Sequence, residues 1–219
     1  MWSSEVTNMI ITGIWETLYM TLVSTLVGYV IGLPMGIILT VSDKDGIKPN
    51  ALLYKILDVI ANIVRSVPFI ILLVLLIPFT RLVVGKSYGS TATIVPLVIA
   101  AAPYIARMVE SSLKEVDAGV IEAARSMGAS NFTIITKVML VEARTSLLVG
   151  ATITLGTILG YSAMSGAVGG GGLGAIAIRY GYTRWQTDIM IVTVILLIIL
   201  FQIFQTVGMK LLIDAFQKF

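Results

Sequence analysis

Long apolar runs separated by short polar clusters dominate the chain. Five stretches are mostly apolar over the roughly 20 residues that a helix needs to cross the hydrocarbon core of a bilayer. They are 17–42, 59–80, 87–106, 145–178 and 189–209, and only the second holds a charge, Arg65. None shows the apolar–polar alternation of barrel strands, and lipid cannot satisfy free backbone groups, so each run predicts a helix. The fourth run is too long for one simple span and contains Gly169-Gly170-Gly171-Gly172. A helix to about Val168, a break at the glycines and a short return segment carrying Tyr180 and Tyr182 is expected there. The predicted fold is an all-α integral membrane protein with five transmembrane helices.

Composition fits that pattern. Of the 219 residues, 57% are hydrophobic and 12% charged, about half the charge of a soluble domain. The small basic excess therefore concerns membrane topology, and no nucleic-acid partner is expected. The chain has no Cys and no His, which excludes thiol chemistry, disulfides, imidazole bases and the usual zinc sites. A cleavable signal peptide is not expected, because the first basic residue is Lys44 and such a peptide needs a basic region before its apolar core.

Five spans place the two ends of the chain on opposite sides, and the positive-inside rule chooses between the arrangements. With the N-terminus outside, Lys44, Lys48, Lys55, Arg65, Arg107, Lys114, Arg125, Lys137, Arg144, Lys210 and Lys218 are cytoplasmic or at that boundary. Arg81, Lys86, Arg179 and Arg184 fall outside. That imbalance predicts an outside N-terminus and a cytoplasmic C-terminus, with Trp15, Trp185, Tyr180 and Tyr182 in the outer aromatic belt.

The polar segment between the third and fourth runs then lies in the cytoplasm. In it, Val120, Ala123, Ala124 and Met127 fall at i, i+3, i+4 and i+7, one face of a helix. Asp117 is a suitable N-cap, Glu122 and Arg125 are spaced to pair, and Gly128 suits a C-cap of positive φ. Ser130 is placed to cap a second helix through Lys137, so the expectation is helix, glycine elbow, helix. Two alanines let another surface approach closely. Taken alone, the segment has a rival reading as an amphipathic helix lying on the inner leaflet.

Within the membrane, Ser162, Met164 and Ser165 are the candidates for lining a translocation pathway, with Met164 as an adaptable apolar plug; ordinary helix packing is the competing account. Arg65 and Arg107 read as snorkelling arginines near span ends, and Glu110 is spaced to pair with Arg107. Pro68, Pro78, Pro96 and Pro103 are expected to kink the second and third spans. Several familiar patterns fail. Gly169, Gly171 and Gly174 follow a membrane run rather than a strand, so they are no dinucleotide loop. Gly85-Lys86-Ser87 has Thr80 where a phosphate loop needs its first glycine, so no ATP site is expected in this chain. Gly160-Tyr161-Ser162 has Met164 in place of the second glycine of a nucleophile elbow.

The stretch Glu122-Ala123-Ala124-Arg125-Ser126-Met127-Gly128 resembles the cytoplasmic coupling loop of type-I ABC importer permeases. That loop reads Glu-Ala-Ala, three residues, Gly, nine residues, then Ile-x-Leu-Pro. Here the last part is Val138-Met139-Leu140-Val141, without the proline. The resemblance extends from about residue 11 to 206 and is closest to the permeases of methionine importers. It is carried by Gly13-Ile14-Trp15-Glu16-Thr17-Leu18, Asn62-Ile63-Val64-Arg65-Ser66-Val67-Pro68-Phe69, the run from Ala102 to Glu110, and the run from Gly160 to Gly169. It implies a permease domain over 11–206 with a coupling loop at 110–144. It implies a homodimer, two copies of a partner ATPase that carries ATP and Mg, and an extracytoplasmic methionine-binding protein. Glu122, Ala123, Ala124, Met127 and Gly128 are the implied ATPase-coupling residues, and no catalytic residue or metal site is implied. An importer of another small solute, an ion-coupled secondary transporter and a non-transporting scaffold are the alternatives. The absence of an ionisable residue clearly at the bilayer centre weighs against ion coupling.

Overall fold

A computed structural model describes residues 4–217, with side chains to residue 210. Lys218, counted above on the cytoplasmic side, lies outside the described residues. Every regular element among them is helical. The long elements are α1 (Ser4–Ser42), α5 (Ser90–Lys114), α9 (Arg144–Ser165) and α11 (Thr187–Gln217). Between α1 and α5 come α2 (Ala51–Ser66), α3 (Phe69–Leu75) and α4 (Ile77–Val84). The polar segment holds α6 (Ala118–Ser126), α7 (Asn131–Thr133), a π-helical stretch Ile134–Met139 and α8 (Leu140–Glu142). After α9 come α10 (Gly172–Ile176) and a second π-helical stretch, Ala177–Tyr182.

Four segments are long and apolar enough to cross a membrane, and a fifth is a bent pair. The bent pair is the second predicted span. It does not form one kinked helix, because α2 and α3 meet at 103°. Pro68 has no N–H to continue α2 and pushes the residue before it out of helical geometry. Val67 accordingly sits at φ −82°, ψ 125° and closes α2. By contrast α5 runs unbroken through Pro96 and Pro103. Its neighbours hold it on several sides, and both prolines are themselves buried.

The core is built on the packing of α1 against α5, two parallel helices. Gly28, Gly32 and Gly36 make a stripe one turn apart on α1, which lets backbones approach as small residues do in lipid. A Cβ on Gly32 would lie 2.5 Å from the Ala102 carbonyl oxygen, and one on Gly36 would lie 2.6 Å from that of Ala106. Leu97, Ala101, Ile105 and Val109 fill the seam. Several buried hydroxyls are satisfied within α1: Thr17, Thr25 and Thr40 each donate to the carbonyl four residues back at 2.7–3.0 Å, a local bond that removes the need for water, whereas Thr21 Oγ1 and Ser24 Oγ have no partner among the described residues.

The break in the fourth run falls as expected. The chain leaves α9 through a 3-10 turn at Gly166–Val168, turns at Gly169 and doubles back as α10. A Cβ on Gly174 would press into the Ala163 backbone, and one on Gly166 into that of Ala175. This end is then knitted together: Gly89 N–H donates to the Gly169 carbonyl at 2.8 Å, and Gly172 N–H donates to Glu16 Oε2 at 2.7 Å. Leu173 N–H donates to Thr17 Oγ1 at 2.9 Å.

Candidate functional site

The polar segment sits at the opposite end of the bundle, beside the ends of α1 and α5. Asp117 caps α6, its carboxylate accepting from Gly119 N–H at 2.7 Å, and this satisfies one of the free amides of the first turn. The C-terminal end closes on Gly128, at φ +81°. Gly128 N–H donates to the Arg125 carbonyl at 2.9 Å, and Ala129 N–H to that of Ala124 at 3.1 Å. These are the paired bonds of a Schellman turn, which needs a left-handed residue at this position. Ser130 then caps the second helix by accepting from Thr133 N–H at 3.2 Å. That helix runs through the π-helical stretch and α8, and only Ala143, at ψ 0°, separates it from α9. With Val141 in place of a proline, no obligatory break falls at that junction.

The apolar face expected over 120–127 divides in two. Ala124 is buried with Leu113, Ile134 and Met139, and Ile121 packs beside them. Val120, Ala123 and Met127 are exposed, Met127 at 81%, and Phe132 stands out at 75% just beyond the elbow. Glu122 is also exposed. The expected Glu122–Arg125 pair is not made; Arg125 Nη2 reaches away to the Ile47 carbonyl oxygen at 2.9 Å. A cavity of about 410 Å³ lies between α6 and the 43–47 turn, bordered by Asp43, Asp45, Lys114, Glu122 and Arg125.

Arg65 is exposed, but Arg107 does not snorkel to solvent. It bonds the Asp58 carboxylate, donates to Asn62 Oδ1 at 3.0 Å and pairs with Glu110 Oε2 at 2.6 Å. Glu110, 5% exposed, also holds Lys114 Nζ at 2.9 Å and accepts from the Tyr54 hydroxyl at 3.2 Å. Lys114 reaches Asp43 Oδ2 at 2.6 Å, and this bond holds the Asp43 carboxyl below the ordinary carboxylate range. The sequence reading anticipated Glu110 with Arg107. It missed Asp58, Tyr54 and the Lys114–Asp43 link. An aspartate inside the apolar pattern of α2 is the signal that pointed to a buried partner.

The three pathway candidates separate. Ser162 and Ser165 are buried within the chain, donating to the carbonyls of Leu159 at 2.8 Å and Ser162 at 2.6 Å. Met164 is 51% exposed. Between them and the α2–α3 break lies a contact that sequence reasoning did not find: the Phe69 and Tyr161 rings stack at 4.4 Å and 5°. Among the described residues no three His, Cys, Asp or Glu side chains form a metal-binding group.

Apolar helices of this length, with polar elements gathered at the ends, define a polytopic membrane protein. Residues 28–214 match the model of the family described as binding-protein-dependent transport system inner membrane component, and the chain belongs to that family. It is 49% identical to the probable D-methionine transport system permease protein MetI of Vibrio cholerae, over 94% of this chain and 92% of that protein. It is 52% identical to the D-methionine transport system permease protein MetI of Escherichia coli K12, over 72% of this chain and 73% of that one. A chain of the methionine ABC transporter MetNI, solved in inward-facing conformations, is 50% identical and superposes with a TM-score of 0.96. That match covers 98% of this chain and 99% of the other.

Proposed function

We propose that this chain is the permease subunit of an ATP-driven methionine importer in the bacterial cytoplasmic membrane. The observation that carries the reading is the 50% identity to a MetNI chain over 98% of this one, at a TM-score of 0.96. The permease domain is residues 11–206 and its coupling loop 110–144. Two copies of the chain form the membrane unit, and two ATPase subunits, which bind ATP and Mg, dock on its cytoplasmic face. An extracytoplasmic binding protein delivers methionine to the loops at 81–90 and 179–188.

The coupling residues are Glu122, Ala123, Ala124, Met127 and Gly128. Physically, α6 is a short helix fixed at both ends and anchored through Ala124, so a push on its exposed side moves it as a body. Val120, Met127 and Phe132 give that side an apolar contact area. The N-terminus lies outside and the C-terminus inside. In support, Lys114, Arg125 and the turn that carries Lys44 and Lys48 lie at the coupling end, whereas Arg81, Lys86, Arg179 and Arg184 sit at the glycine-rich end. Of the pathway candidates, Met164 is the exposed one, and Ser162 and Ser165 shape the helix that presents it.

Uptake of labelled L-methionine into vesicles holding this chain, its ATPase and its binding protein, with and without ATP, tests the reading. ATP-dependent uptake that excess methionine blocks supports it, and competition with D-methionine defines the accepted form. ATP hydrolysis with no methionine uptake points to another solute. Uptake indifferent to ATP points to ion coupling and overturns the assignment.

A further inference from the structure

The ionic cluster at the inner end does something the coupling loop alone does not: it reaches α2. Starting from α6, Arg125 holds the Ile47 carbonyl at 2.9 Å, at the far side of the 410 Å³ cavity. The same turn carries Asp43, bonded to Lys114. Lys114 and Arg107 share Glu110 on α5, and Arg107 fastens Asp58 and Asn62 on α2. Polar contacts, carried across the 43–47 turn by its backbone, thus join the coupling helix to the middle of α2. One turn beyond Asn62, α2 ends at Ser66, and the chain breaks by 103° into α3. On the far side of that break α3 packs on α5, and the Phe69–Tyr161 stack also ties it to α9.

We propose that Arg107 is a positioning residue for transport. It makes α2 move with the coupling helix, so that motion of α6 is delivered as rotation about Val67 and Pro68 against α3 and α9. The assignment rests on the importer reading above.

Three features favour a transmitting role over a simple brace. Apolar packing holds two helices together more cheaply than a buried carboxylate such as Glu110 does, so stability alone gives no reason to build the cluster around it. Its charges do not balance, since Asp43, Asp58 and Glu110 face Arg107 and Lys114. It is also incompletely satisfied: Arg107 Nε is buried with no acceptor among the described residues. A partly satisfied polar network rigidifies its surroundings less than a fully satisfied one. Between two bodies that meet at two extended residues, it can re-form after a shift.

The test compares wild type with Asp58→Asn and Asp58→Ala in vesicles containing ATPase and binding protein. ATP hydrolysis, methionine uptake and thermal stability are measured together. Asp58 lies outside the coupling segment, so hydrolysis stimulated by the binding protein is expected to persist. Uptake per ATP is expected to fall about 2- to 30-fold, the range for residues that carry coupling. Arg107→Lys, which keeps the charge but loses the forked contact to Asp58 and Asn62, is expected to fall between. Unchanged uptake per ATP in both Asp58 variants overturns the proposal. So does a parallel loss of hydrolysis and uptake in both, which makes the cluster a brace. A wild type without ATP-dependent uptake fails the importer reading itself, and is recognised before any variant is compared.

Discussion

Gly128 offers a clean test of the coupling elbow because its substitution carries one kind of cost. At φ +81° a Cβ on this residue would meet nothing within 4 Å. No clash enters, and the penalty is backbone strain alone, about 1–2 kcal/mol for an L-residue held in the left-handed region. That is a factor of roughly 5–30 in the equilibrium between this elbow and one in which residue 128 returns to negative φ. Relaxing instead gives up the two Schellman bonds, at 2.9 and 3.1 Å, together worth about 1–3 kcal/mol. The two routes compete. Alanine, with the smaller strain, keeps the turn in only part of the population; a β-branched residue, a genuine outlier in that region, gives it up. The structure supplies its own control. Gly85 has φ +80°, also with nothing within 4 Å, at the other end of the bundle. Gly85→Ala therefore carries the same strain without touching α6; because it lies in the 81–90 loop assigned to the binding protein, any weaker docking is removed by saturating that protein. Uptake per ATP at saturating binding protein should follow the order wild type, Gly85→Ala, Gly128→Ala, Gly128→Val, with the first two equal and the last near zero. Equal coupling in Gly85→Ala and Gly128→Ala, or full coupling in Gly128→Val, would refute the reasoning.

Three further outcomes are expected. Gly174→Ala drives a methyl group into the Ala163 backbone, whereas Gly160 has open space; melting in detergent should drop by the equivalent of about 3 kcal/mol or more for the first and stay near wild type for Gly160→Ala. Glu16→Ala strips the acceptor from Gly172 N–H, 2.7 Å away, and should cost about 1–3 kcal/mol in the same assay, with Glu16→Gln, which keeps an acceptor oxygen, retaining most of it. Met164→Cys, in a chain that otherwise has no cysteine, should label at a rate that changes when nucleotide is added; no labelling in either state would remove Met164 from the pathway.

Much of this architecture was legible from local chemistry. The glycine run had to break a helix, and it does so at Gly169. Gly128, Asp117 and Ser130 are capping residues whose geometry depends on a few neighbours, so their roles could be read along the chain. What was not legible required contacts distant in sequence. Asp58 and Arg107 meet across 49 positions, and Glu16 and Gly172 across 156; nothing local to Glu16 announces that it will receive the first amide of α10. Pro68 was read as a kink, but whether a proline bends or ends a helix depends on what packs around it. Pro96 and Pro103 are walled in within α5, while α2 has Ala61 as its one fully buried position. The stripe Gly28, Gly32 and Gly36 was present in the sequence at the spacing of close helix packing, and only its partner helix was unknown.

The two ends of the bundle are held by different physics, and this bears on how motion divides between them. At the glycine end most contacts are backbone to backbone or backbone to a short side chain, Gly89 to Gly169, Leu173 to Thr17 and Gly174 against Ala163, with Glu16 to Gly172 added by a longer one. Such contacts have few rotamers to exchange, and close-packed interiors shift between discrete arrangements rather than deform. At the coupling end the links are long side chains, Arg107, Lys114 and Arg125, the last two beside a cavity, and each can keep a partner through a displacement that a backbone contact could not survive. Motion that enters at α6 is therefore followed by links that keep their partners, and it meets resistance at the far end. The chain places its 103° break, Val67–Pro68, between these two regimes, where relative rotation requires only two extended residues to change their dihedrals.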